Sequence, residues 1–161
     1  MTVKSGRQAK ILVIHGPNLN MLGQREPEVY GRQTLKEIDT MLADEAARLN
    51  LSLESFQSNQ EGLLVDKIQQ AVGQASGLII NPGAYTHTSI AIRDALLLLD
   101  IPIVEVHLSN TYKREAFRRE SMIADIVTGR IVGLGAFGYI LALQAIAERL
   151  HPRKRKSKSL L

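Results

Sequence analysis

Apolar runs of strand length alternate with segments of helical period along residues 10–150. Such alternation marks βαβ units that build a parallel sheet. Five strands are predicted: Lys10–Ile14, Leu51–Phe56, Gly77–Ile80, Ile101–Val106 and a short one near Arg130–Gly133. Between them, apolar residues recur three and four apart. Leu35, Ile38, Leu42, Ala46 and Leu49 make one helical face, opened by Thr34, whose spacing to Glu37 fits a capping box. Leu64, Ile68, Ala71 and Val72 make the inner face of a second helix from about Gln60 to Val72. Further helices are predicted near Ser89–Leu99, over the charged Arg114–Glu120, and from about Gly138 to Leu150. The expected fold class is α/β, a doubly wound, five-stranded parallel sheet in a single domain over residues 10–150. Residues 1–9 read as an N-terminal extension, and 151–161 have the composition of a basic, disordered tail.

In an open parallel sheet, ligands sit beyond the carboxyl ends of the strands, and the loops there carry the chemistry. His15 and Asn18 follow the first strand, Asn81 and His87 follow the third, and His107 and Ser109 end the fourth. The polar stretch from Asn18 to Gln33 is too long for an ordinary βα connection. It holds Arg25, Glu26, Pro27, Tyr30 and Gly31, and reads either as a surface loop or as a lid over a substrate. Thr86, Thr88 and Ser89 read as helix N-caps, or as hydroxyls binding a carboxylate at a helix start. Glu105 and His107 share one strand face, so the carboxylate could take the proton of one ring nitrogen and turn the other toward a ligand. A purely structural strand-end histidine is the alternative.

Charge narrows the choice of partner. The chain has a net charge of +4, but the last eleven residues hold five of the 20 basic groups and no acid, which leaves 15 basic against 16 acidic groups in residues 1–150. A phosphate-tracking surface is therefore not expected on the folded part. Contact of the tail with nucleic acid, and a binding module for some other small anion, stand as competing readings. No cysteine is present, which removes disulfides and thiolate sites. The four histidines lack HExxH spacing, so no metal is expected. Gly133-Leu134-Gly135-Ala136-Phe137-Gly138 matches a dinucleotide fingerprint literally, yet no second strand and acid follow it, and it reads as a tight strand-to-helix turn. Apolar stretches such as Ala95–Leu99 and Ile140–Leu143 are far too short to span a membrane, and Met1–Lys10 does not read as a signal peptide, so a cytoplasmic location is expected.

Taken together, several segments carry a resemblance. They are Gly16-Pro17-Asn18-Leu19-Asn20, Arg25-Glu26-Pro27 with Tyr30-Gly31, the run Asn81 to Ser89, Glu105 to Asn110, Arg114 to Arg118 and the late Gly-Leu-Gly. In this order they resemble the type II 3-dehydroquinate dehydratases over about residues 10–150. The resemblance implies a flavodoxin-like fold, trimers grouped into a dodecamer, and no cofactor. It implies removal of water from 3-dehydroquinate to give 3-dehydroshikimate, a step of the shikimate pathway, by anti elimination through an enolate.

By that resemblance Tyr30 is the base. A phenol titrates near 10 in water, and a guanidinium about 4 Å away contributes roughly 4 kcal/mol at an effective dielectric near 20. Arg25 and Arg118 are the candidates for that charge. His107, held by Glu105, would give the leaving hydroxide its proton, and Asn18 would steady a water against the enolate oxygen. Asn81, His87, the Leu108 and Ser109 backbone amides, the Ser109 hydroxyl and Arg118 would bind substrate, and Asp94 would reach a neighbouring subunit's site. Lys36, Lys67 and Lys113 are not placed like a buried imine former. The basic C-terminal segment is a departure from the family pattern.

Overall fold

The computed structural model describes residues 8–24 and 26–152. In it the five strands lie in one sheet, in the order β2-β1-β3-β4-β5, and all neighbours are parallel. The strands are β1 (Lys10–His15), β2 (Ser52–Gln57), β3 (Gly77–Asn81), β4 (Ile103–His107) and β5 (Gly129–Val132). This is the flavodoxin-like order, in which the chain reverses direction across the sheet between β1 and β3. The helices are α1 (Pro27–Tyr30), α2 (Leu35–Arg48), α3 (Glu61–Gln70), α4 (Ile90–Leu96) and α5 (Phe137–Leu150).

The three central strands are buried almost throughout, whereas β2 and β5 at the edges are half-buried. Burial on both faces is why the central strands read as continuous apolar runs rather than alternating ones. Ile11, Val13, Ile79, Val104 and Val106 pack against Ile38, Leu42 and Ala46 of α2 and Tyr139, Leu143 and Ile146 of α5. On the other face Leu12, Ile14, Leu78, Ile80 and Ile103 meet Leu64 and Ile68 of α3 and Ile92 and Leu96 of α4. Each such aliphatic side chain contributes about 1.5–3 kcal/mol by leaving water.

The capping box at Thr34 is present: Glu37 N–H donates to Thr34 Oγ1 at 3.2 Å and Thr34 N–H donates to Glu37 Oε2 at 2.7 Å. Three expectations are corrected. Helix α3 stops at Gln70, which leaves Val72 exposed rather than on the inner face. Helix α4 stops at Leu96, and Leu97 and Leu98 face outward. Arg114–Glu120 is not a helix but part of two short 3₁₀ turns, Thr111–Lys113 and Ala116–Arg118, with Arg114 extended between them. Seven mostly charged residues offer neither an apolar stripe to dock nor the length to nucleate a helix alone. The long segment after β1 is tied down by a 3₁₀ turn at Leu19–Met21, by buried Leu19 and Leu22, and by Tyr30 packing on the α2–α5 core.

Helices α2 and α5 are also joined through Glu45. Its carboxylate accepts from Arg48 Nε and Nη2 at 2.7 and 2.6 Å and from Gln144 Nε2 at 2.7 Å. The Arg48 and Gln144 hydrogen bonds pull its carboxyl down to about 2. Its folded value thus lies below the unfolded one of about 4.3, so its stabilisation is complete above that pH and is lost as pH falls toward 2. Glu45→Gln is expected to lower stability at neutral pH and to flatten the acid dependence between about pH 4 and pH 2. Denaturant titrations at stepped pH measure this, and parallel acid slopes for the two proteins would contradict it.

Candidate active site

At their carboxyl ends β1 and β3 lie in register, His15 beside Asn81, and the loops that leave them pack backbone on backbone. Gly16 N–H donates to Asn81 O at 2.7 Å, and a Cβ on Gly16 would come within 2.2 Å of Pro82 O. Only glycine permits that approach. A pocket opens here, at the switch point of the sheet. Its walls are Pro17, Asn18, Leu19 and Leu22 after β1, Tyr30 of α1, Asn81, Gly83, Ala84 and His87 after β3, His107, Leu108 and Ser109 at the end of β4, and Thr111, Arg114 and Arg118 of the turns.

Glu105 and His107 project from the same face of β4, as residues two apart on a strand must. Glu105 is fully buried, and His107 Nε2 lies 2.7 Å from its Oε1. A buried carboxylate needs compensation. Thr86 Oγ1 donates to Oε1 at 3.2 Å, Ser121 Oγ lies 3.0 Å from both oxygens, and Arg130 Nε sits 2.6 Å from Oε2 as an ion pair. Burial pushes the Glu105 carboxyl up, but the His107 hydrogen bond and charge, with Arg130 and Ser121, outweigh it and hold it below the ordinary value. An ionised Glu105 accepts the His107 Nε2 proton, and Nδ1, without a partner among the described residues, serves the pocket.

His87 Nδ1 donates to Glu120 O at 2.6 Å, which leaves Nε2 as an acceptor. Burial, the largest influence, pushes the His87 pKa below the ordinary histidine value and so favours the neutral ring. Among the described residues no backbone carbonyl takes the N–H groups of Leu108 and Ser109, so both remain for a ligand oxygen. Asn18 is exposed at the rim in a left-handed conformation with φ 66°, held by Asn59 Oδ1 on its N–H at 2.9 Å.

Among the described residues, the guanidinium that meets the Tyr30 hydroxyl is Arg114 rather than Arg118. Arg114 Nη1 donates to Tyr30 Oη at 2.7 Å, and Arg114 Cζ lies 5.2 Å from the ring centroid. Arg118 lines the pocket but its Nε binds Glu115 at 2.9 Å. Arg25 lies outside the described residues. The two arginines lie four apart, and from the short turns that stand in place of the expected helix both reach the pocket. His15, grouped with the polar loop residues, does not line the pocket: its ring points beneath the sheet to Tyr139 and Asp39. Thr86 caps no helix and supports Glu105 instead, while Ser89 Oγ does cap α4 by accepting from Ile92 N–H at 2.9 Å. Asp94 stands exposed on α4 and does not line this pocket. Ser121 and Arg130 went unread, because nothing in their local pattern shows that they converge on a buried acid.

A switch-point pocket walled by a paired acid and histidine, a tyrosine on a guanidinium and free backbone donors defines an α/β enzyme of acid–base chemistry on a small polar molecule. The chain belongs to the class II dehydroquinases, whose family model matches residues 9–147. It is 56% identical over 144 residues to the 3-dehydroquinate dehydratase of Gloeothece citriformis, covering 89% of this chain and 95% of that one. It is 50% identical to the catabolic 3-dehydroquinase of Penicillium rubens, covering 94% and 97% of the two. The crystal structure of the type II dehydroquinase from Propionibacterium acnes superimposes with a TM-score of 0.85 at 43% identity, covering 89% of this chain and 99% of that one.

Proposed function

We propose that this chain dehydrates 3-dehydroquinate to 3-dehydroshikimate by anti elimination through an enolate, as a step of the shikimate pathway, with its side chains as the only catalysts. The observation that carries this is the pairing, inside one pocket, of a tyrosine hydroxyl on Arg114 with a histidine on buried Glu105. Tyr30 takes a proton from the carbon beside the ketone, and the electrons move onto the ketone oxygen. Asn18 steadies a water there. As the enolate collapses, the hydroxyl two carbons away leaves with a proton from His107 Nδ1, whose imidazolium the Glu105 carboxylate stabilises. His87 Nε2 and Asn81 orient the ring hydroxyls, while Arg118, the Ser109 hydroxyl and the Leu108 and Ser109 amides hold the carboxylate. Arg25 is a second guanidinium of the lid by family resemblance.

Ile90, Leu97 and Leu98 are exposed around Asp94 on α4, an apolar surface that supports a subunit contact. We place Asp94 in the neighbouring subunit's site, within a homo-oligomer built as a tetramer of trimers acting in the cytoplasm. No described helix is long and apolar enough to cross a membrane.

Purified chain mixed with 3-dehydroquinate is expected to generate the ultraviolet absorbance of a conjugated enone. Among the described residues no three histidine, aspartate or glutamate side chains gather as metal ligands, and Lys67, half-buried, is committed to Glu54. Activity should therefore survive exhaustive chelation, and borohydride added during turnover should leave no adduct on a lysine. Binding without turnover, rescue only by a divalent metal, or a trapped lysine would each refute the proposal.

A further inference from the structure

Beneath the pocket, on the α2–α5 side of the sheet, four polar side chains, of which Asn81 alone lines the pocket, are joined end to end. Asn81 Oδ1 lies 3.1 Å from Gly83 N, and Asn81 Nδ2 lies 3.1 Å from Tyr139 Oη. Tyr139 Oη is 3.1 Å from His15 Nδ1, and His15 Nε2 is 3.1 Å from Asp39 Oδ1. Asn81, Tyr139 and His15 are 3%, 0% and 0% exposed, so each polar atom must find its partner within this chain.

The direction of every bond follows from one backbone group. The Gly83 N–H can only donate, so the Asn81 atom facing it is the oxygen, and the amide nitrogen faces Tyr139. That nitrogen can only donate, so Tyr139 Oη accepts. Among the described residues the Tyr139 hydroxyl has no other partner than Asn81 and His15, and its own proton must therefore go to His15 Nδ1. Burial pushes the Tyr139 phenol far above its ordinary value, so the proton is present to be given. With Nδ1 as acceptor, the ring proton of His15 sits on Nε2 and is donated to Asp39, whose side chain is 34% exposed at the far end.

We infer that Asp39, His15 and Tyr139 are positioning residues that lock the Asn81 amide with one N–H on Tyr139 and its second N–H aimed into the pocket, so that this wall of the site accepts only a ligand oxygen able to receive a hydrogen bond. Asn81 lines the pocket, and its second N–H has no acceptor among the described residues. A flipped amide would set N–H against the Gly83 N–H and draw the Tyr139 proton away from His15 Nδ1. The chain thus converts the Asn81 side chain, ambiguous by itself, into a fixed donor matched to a substrate hydroxyl oxygen, and it rests on the 3-dehydroquinate reading for the identity of that oxygen.

The test has two arms. Nitrogen-15 NMR of histidine-labelled protein is expected to show one histidine with a protonated Nε2 and an unprotonated Nδ1 whose signals are altered by Tyr139→Phe. A His15 ring protonated on Nδ1 overturns the direction of the chain, whatever the substrate. Kinetically, Tyr139→Phe should raise KM for 3-dehydroquinate about fivefold with kcat within about twofold, the loss of one neutral hydrogen bond spent on binding. In an Asn81→Ala background the same change should move KM by less than about twofold. An unchanged KM in Tyr139→Phe, or a shift that persists without Asn81, overturns the inference, because a merely structural hydroxyl would affect stability and not act through Asn81. Should Tyr139→Phe fail to fold, Asp39→Ala at the half-exposed end must raise KM while Asp39→Asn, which keeps an acceptor, restores it. Wild-type protein inactive on 3-dehydroquinate would refute the substrate reading alone and leave the NMR arm standing.

Discussion

Tyr30→Phe is expected to lower kcat by about 10²–10⁴-fold while KM for 3-dehydroquinate stays within a few-fold, because the substitution removes the base and little else. The phenyl ring retains its packing on the α2–α5 core and its place 5.2 Å from the Arg114 guanidinium carbon. Among the described residues no other tyrosine lines the pocket. Tyr85 Oη donates to Asn59 O at 2.9 Å, and Tyr139 is fully buried beneath the pocket. Steady-state kinetics with substrate affinity measured separately decides the matter. A kcat near the wild-type value, or a loss expressed only in KM, would show that the hydroxyl binds substrate and does not take its proton.

How much of this could be read in the sequence depended on what each residue packs against. The strands β1, β3 and β4 were legible because both their faces are buried and most of their residues are branched and apolar. The Thr34 capping box was legible because both of its partners lie within four residues. Glu105 and His107 could be paired on paper because strand geometry alone puts them on one face. The same rule also places His15, which follows an apolar run directly and looks like a loop ligand, yet keeps the strand alternation and turns down toward Tyr139 and Asp39. Its partners are 124 and 24 residues away, and no local pattern reports them. Ser121 and Arg130 belong to the same class, since they matter only because the turns after β4 and the start of β5 converge on Glu105. The glycine-rich segment before α5 was read correctly as a turn: Gly133 sits at φ +86° with its Cβ position 2.9 Å from Asn110 Cβ, a place that no side chain could share.

Arg114 is where the reading of the sequence and the geometry part, and it yields the second large effect. Arg114→Gln is expected to lower kcat about 10²-fold, whereas Arg118→Gln should act chiefly on KM. The guanidinium of Arg114 donates to Tyr30 Oη at 2.7 Å, so it places a full positive charge against the phenolate that a working base must become. At about 4 Å and an effective dielectric near 20 such a pair is worth roughly 4 kcal/mol. Glu115 Oε2, 3.8 Å from Arg114 Nε, cancels part of it, and the surviving 2–3 kcal/mol or so corresponds to about 10²-fold in rate. Arg118 hydrogen-bonds Glu115 rather than Tyr30, leaving it free to trade that partner for a substrate carboxylate. Arg114→Lys should recover only part of the rate, because an ammonium supplies the charge without the planar group lying over the ring. Measuring kcat and KM for the three variants separates the roles. If Arg118→Gln costs more in kcat than Arg114→Gln, the guanidinium serving the base is Arg118, and the turns between β4 and β5 must rearrange when substrate enters.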